Sequence, residues 1–159
     1  MGLFSNIEKA QVSMGGNWLK AGGKYLCYVS VCKAPDNRKK KLMYVVELDV
    51  IESNHAEIKP GMKASCVFNL TDHEAAWGNL KGFLAAAVPC NADDVDEAVL
   101  DASITPANPM KGQLVIVEVV NQKTRAGGDF SKHIWYPVSG ELQSQATALR
   151  AAAGFRDAA

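Results

Sequence analysis

The side chains that could do covalent or metal chemistry are scattered along this chain rather than grouped. Cysteines stand at 27, 32, 66 and 90, and histidines at 55, 73 and 133. No Cys-x-x-Cys pair occurs and no histidine stands at ligand spacing from a cysteine, so the pattern gives neither a zinc site nor a redox pair. Cys27 and Cys32 are five residues apart, which in a regular strand puts them on opposite faces and disfavours both a disulfide and a shared ion. The expectation is reduced thiols acting as small hydrophobes. Asp72-His73-Glu74 is the cluster closest to acid-base or metal chemistry. Three consecutive residues at a helix start point in three directions, however, so capping and solvation account for it. No Gly-rich phosphate loop, His-Glu-x-x-His motif or nucleophile elbow is present. The chain reads as non-catalytic, with no cofactor and no metal.

The chemistry that residue types and spacing do support is attraction of phosphates and stacking of bases. The chain is neutral overall, with 17 basic and 17 acidic side chains, but the charge is unevenly distributed. Between residues 33 and 41, Lys33, Arg38, Lys39, Lys40 and Lys41 face a single acid, Asp36. Between 122 and 132, Lys123, Arg125 and Lys132 face Asp129. The stretch 72–101 is the reverse: Asp72, Glu74, Asp93, Asp94, Asp96, Glu97 and Asp101 stand against Lys81. Cations lining a groove bind a polyanion by releasing its counterions, and aromatic rings beside them give bases a platform. Tyr28, Phe130 and Trp135 are the rings placed to do this. Trp135 and Tyr136 are adjacent and must face opposite ways in a strand, so one of them leaves the core. Tyr28 alternates with Val29 and Val31 and is expected on the outer surface. Tyr44, Phe68, Trp77 and Phe83 follow core periodicity instead.

The elements that must position these residues are mostly strands. Lys24–Lys33 is rich in β-branched and aromatic residues, and Leu42–Ile51 alternates, with Tyr44, Val46, Leu48 and Val50 on one face and Glu47 and Asp49 on the other. A third alternating run covers Met62–Leu70. The period then changes to that of a helix carrying Trp77, Leu80, Phe83, Leu84 and Val88, which ends at Pro89. A long acidic connection over 91–112 allows a short helix between Asp93 and Asp101. Two further strands, Gln113–Val120 and Ser131–Val138, flank a Gly-rich hairpin tip, and Glu141–Ala153 is expected to be helical. At 48% apolar residues a core forms without disulfide or metal support.

The predicted fold is therefore mostly β with one or two helices: a five-stranded OB-type barrel of order β-β-β-α-β-β plus a C-terminal helix. It divides into a lead-in over 1–22, the barrel domain over 23–138 and an Ala-rich helix and tail over 139–159. In an OB barrel the face of strands two and three and the loops joining strands one to two and four to five carry the ligand. The two basic segments are those two loops, expected to project from the same end and flank one groove.

Gly23-Lys-Tyr-Leu-Cys-Tyr-Val-Ser-Val, Tyr44-Val-Val-Glu-Leu-Asp-Val-Ile and Thr124-Arg-Ala-Gly-Gly-Asp-Phe130 followed by Trp135-Tyr-Pro resemble phage-encoded OB-fold single-stranded-DNA-binding proteins over about residues 23–138. The resemblance implies a protein that coats single strands in phage replication or recombination without catalysis. Single-stranded DNA is the expected partner, with RNA a second candidate. Replication or recombination proteins and a second copy of the chain are further candidates. The chain ends Ala-Ala-Ala-Gly-Phe-Arg-Asp-Ala-Ala, a departure from the acidic partner-recruiting tail of many such binders. With neither a secretory signal nor a membrane-length apolar run, the expected location is the cytoplasm, that of the host if the chain is phage-encoded, with no membrane partner. The alternative is a protein-binding OB-like module, for virion assembly or host inhibition, using the acidic segment 93–101 or the C-terminal helix.

Overall fold

The computed structural model describes residues 17–34, 43–70, 74–87, 94–123 and 127–155. Arg38, Lys39, Lys40, Lys41 and Arg125, Asp72 and His73, Cys90 and the side chains of Glu74 and Phe130 lie outside what it describes.

The chain is mostly β. It builds β1 (Asn17–Trp18), β2 (Gly23–Lys33), β3 (Met43–Ser53), β4 (Lys63–Asn69), α1 (Glu74–Ala87), α2 (Glu97–Ser103), β5 (Leu114–Lys123), β6 (Asp129–Pro137), α3 (Gly140–Gln143) and α4 (Ala146–Ala152). The sheet order is β1-β4-β3-β2-β5-β6. Apart from the two-residue β1, which pairs parallel with β4 at Asn17↔Ala64, every ladder is antiparallel. The five main strands thus follow the OB-type order, with the first strand paired to both the second and the fourth. The short parallel β1 was not expected, because Gly15, Gly16, Gly22 and Gly23 argue against regular structure there.

β2 bends between two partners. Its residues 23–28 pair with β5, and its residues 25–33 pair with β3, with register shifts at Leu26/Cys27 and Val29/Val31. Each shift inserts an extra residue on one strand, which bends it and changes which side chains face inward. Cys27 and Cys32 are therefore both buried, in one cluster with Val29, although five-residue spacing in a regular strand would separate them. Val31 is pushed to a half-buried position.

α1 fills the opening between β4 and β6, packing chiefly on β6. Leu80, Phe83, Leu84 and Ala87 face the sheet, and Phe83 meets Trp135 edge to face with ring centroids 4.9 Å apart. α2 is capped by Asp96, whose side chain accepts from the Val99 amide. It is fixed to β3 where the Tyr44 hydroxyl meets Ser103 Oγ at 2.7 Å. Ser103 spends its own proton on the Leu100 carbonyl, so Tyr44 donates.

The outer face of the sheet carries a second, smaller core. Leu26, Ile51, Leu114, Val138 and Ala146 are buried there, with Tyr28, Ile116, Leu142 and Leu149 packed around them. α3 and α4 lie over this face. α3 starts at Ser139, whose hydroxyl accepts from the Leu142 amide. Asp49, expected on a solvated face, is instead fully buried under α4 and receives the Arg150 Nε–H at 2.7 Å. The single C-terminal helix expected over 141–153 is broken between Gln143 and Ala146.

Candidate nucleic-acid interface

Lys33 ends β2, exposed, with its ammonium 3.2 Å from Glu47. The basic stretch 35–41 follows it directly. At the other end of β2, Gly23 pairs with Val119, and β5 runs on to Lys123 before the Gly-rich turn leads into β6. The two basic loops therefore leave opposite ends of β2, not one common end. An antiparallel neighbour on each side forces this: β3 begins where β2 ends, and β5 ends where β2 begins. A ligand touching both loops has to cross the sheet between them.

The predicted stacking residues separate. Tyr28 lies on the outer face as expected but is half-buried, with the Arg150 guanidinium 5.0 Å from its ring centroid. Trp135 points inward rather than outward. It is half-buried against Phe83 and Phe68, stacks on His133 at 6.1 Å, and its indole N–H is buried, so it serves the core under α1. Tyr136 is the exposed member of the pair, at 39%. Phe130 pairs with Gln122.

Two residues that the sequence reading did not select stand beside Tyr136. Lys24 places its ammonium 5.4 Å from the Tyr136 ring centroid, and Glu118 accepts the Tyr136 hydroxyl at 3.3 Å. Lys24 pairs with Glu118, and Glu118 with Ile134, across three strands. Lys132, exposed and paired with Val120, belongs to the same outer face by two-residue alternation. The signal for Lys24 was its alternation with Leu26 and Tyr28 on one strand, which needed the β5 and β6 registers to become a cluster. A groove of about 530 Å³ opens beside it, lined by Gly22, Gly23, Lys24, Asn54, Glu118 and Asn121 among others. Gly22 has φ +91°, a left-handed turn that suits glycine, and the Lys24 amide donates to Asn54 Oδ1 at 2.7 Å.

A separate cavity of about 660 Å³ lies between α1 and α2, with Trp77, Leu80, Leu84, Leu100 and Ile104 along its apolar wall and Asp101 among its acids. Trp77 is 43% exposed there, and its indole N–H donates to the Leu70 carbonyl at 3.2 Å.

The titratable groups are tuned by burial. The Cys32 thiol is pushed up to about 11 and that of Cys66 to about 12, both by desolvation, and burial also raises Cys27 well above its ordinary value. Such thiols are poor nucleophiles. Burial holds the His133 imidazole below its ordinary value. Among the described residues no three His, Cys, Asp or Glu side chains come together as a metal site, and no helix is long and apolar enough to cross a membrane. Searched against protein-family models and against curated proteins, the chain matches none.

Proposed function

We propose that this chain is a non-catalytic single-stranded-DNA-binding protein of the phage OB type, acting in replication or recombination in the cytoplasm of the host. The observation that carries this reading is the strand order together with the position of the basic loops. The first strand of an OB-type sheet leads at one end into Lys33 and the basic stretch 35–41, and β5 runs past its other end to Lys123 and the Gly-rich turn. A polyanion that runs from one loop to the other meets cations at both ends of its path, and the duplex, too wide and stiff to follow that path, gains less from them. Binding is then electrostatic with a stacking component, tolerant of sequence and weakened by salt. Reversing the charge of Lys39, Lys40 and Lys41 is expected to weaken binding to every single strand alike and to flatten the plot of log affinity against log salt by about one unit per lost phosphate contact. Unchanged affinity and slope would remove this loop from the interface.

The second reading is a protein-binding module. It draws on the apolar cavity between α1 and α2, whose rim carries Asp96, Glu97 and Asp101, a combination suited to a partner segment with apolar side chains flanked by basic ones.

A further inference from the structure

We propose that the outer face of β5 and β6 holds a nucleotide-binding site in which Tyr136 stacks under a base while Lys24 and Lys132 take the flanking phosphates. The proposal rests on the single-strand reading above and moves the base contact away from the part of the outer face that carries Tyr28. On that face the helices are in the way. Leu26, Ile51 and Leu114 are buried beneath α3 and α4, and the face of Tyr28 is taken by Arg150. A base can reach Tyr28 only if α4 leaves, which breaks the buried Arg150–Asp49 contact.

The neighbouring face has what the covered one lacks. Among the described residues only Trp18, Trp77 and Tyr136 are large apolar side chains left exposed. Of these, Tyr136 is the one on the sheet surface with a cation 5.4 Å from its ring, and that cation, unlike the Arg150 held by buried Asp49, is an exposed lysine that can leave the ring face for a phosphate. Its row across the strands continues through Ile116 to Leu26, so the site borders the second core on the same face of the sheet. Lys132 stands four residues back along the same strand face, about 13 Å away at ordinary strand rise. The 530 Å³ groove shares Lys24 and Glu118 with the tyrosine's surroundings and adds the carboxamides of Asn54 and Asn121. It is large enough for one nucleotide next to the stacked one. Glu118 has a double effect. It orients the Tyr136 phenol, and its charge opposes an incoming phosphate.

The experiment is an anisotropy titration of the full chain and its variants with a labelled thymidine oligomer of about 30 nucleotides, at several salt concentrations. Tyr136→Ala is expected to weaken binding about five- to a hundredfold while keeping the salt slope. Tyr136→Phe, which keeps the ring and loses the hydroxyl, should stay within about twofold. Lys24→Gln with Lys132→Gln should reduce the slope by up to about two, and Glu118→Gln should tighten binding. Lys24, Lys132 and Tyr136 are exposed and Glu118 is half-buried, and thermal unfolding of each variant confirms that it folds. Wild-type affinity and slope in both Tyr136→Ala and the double lysine variant, with the parent binding tightly, would overturn this site and leave the single-strand reading standing. A parent chain that does not bind at low salt overturns both.

Discussion

Asp49 shows how much one side chain can depend on a distant part of the chain. It sits on β3 with no exposed surface, and its nearest cation, Arg150, is 101 residues later. Lys63 adds a weaker contact at 3.6 Å. Removing one member of a buried pair strands the other in a poor solvent. Arg150→Ala is therefore expected to cost about 3–5 kcal/mol, read as a fall in the denaturant midpoint. Replacing both members, as Asp49→Leu with Arg150→Leu, should recover most of that loss. A small effect of Arg150→Ala alone would contradict the buried pairing. Alternation placed Asp49 correctly on the outer face, but nothing local in the sequence indicated that this face is covered. His133 carries a pH prediction. Its imidazole is held below its ordinary value by burial, so in the window beneath about 6.5 the unfolded chain binds more protons than the folded one. The contribution is complete above the unfolded value and is lost as pH falls through the folded one. His133→Gln is expected to flatten unfolding free energy against pH in the range just below the ordinary histidine value of about 6.5. An unchanged slope in chemical denaturation across that range would place the titration elsewhere.

At the scale of elements, the long alternating runs were legible because their periodicity reports a half-buried sheet directly. β3 was expected over 42–51 and forms over Met43–Ser53, and β4 over 62–70 and forms over Lys63–Asn69. The irregularities between β2 and β3, with Ser30 extra on one strand and Ile51 on the other, were not legible, since an extra residue in a strand leaves no mark of its own in composition. Two side-chain amides that finish the sheet were equally hidden. Asn108, at φ 44°, takes the Cys32 amide on its Oδ1 at 2.9 Å and donates its Nδ2 to the Cys32 carbonyl at 2.7 Å. It thereby acts as the strand partner that β2 lacks once β5 has left it. Gln143 does the same for Leu114, at 2.8 and 2.7 Å, and so ties α3 to β5. Asn108→Ala leaves two backbone groups of a buried residue without partners and puts Ala, which tolerates a left-handed φ less well than Asn, at φ 44°. A loss of about 1–3 kcal/mol is expected, with amide exchange at Cys32 speeding up ahead of the rest of β2. Exchange that stays as slow as in the parent would show that another group satisfies Cys32. α3 and α4 are too short to be stable alone, so they depend on the outer-face core and on these two anchors, Gln143 and Arg150. The Ala-rich composition announced a helix but said nothing about where it docks.

For the whole molecule, strand order and apolar periodicity were enough to reach a mostly-β, OB-type sheet, because each main strand pairs as a short meander or across one helical excursion. The polarisation of charge was also visible, since it is a matter of counting. The relation of the basic loops was not. Placing them at opposite ends of β2 required the β2–β5 register, which sequence separation conceals, and it removes the expected common end. The fate of Trp135 was hidden for a related reason: alternation says that Trp135 and Tyr136 diverge, while α1 decides that Trp135 is the one taken inward. The most direct test of the account is a titration of the unmodified chain into a labelled thymidine strand of about 30 nucleotides, repeated over a range of salt with unlabelled duplex as competitor. The account predicts tight binding that weakens steadily with salt and that duplex fails to displace. No binding at low salt, or full displacement by duplex at equal nucleotide concentration, would contradict it.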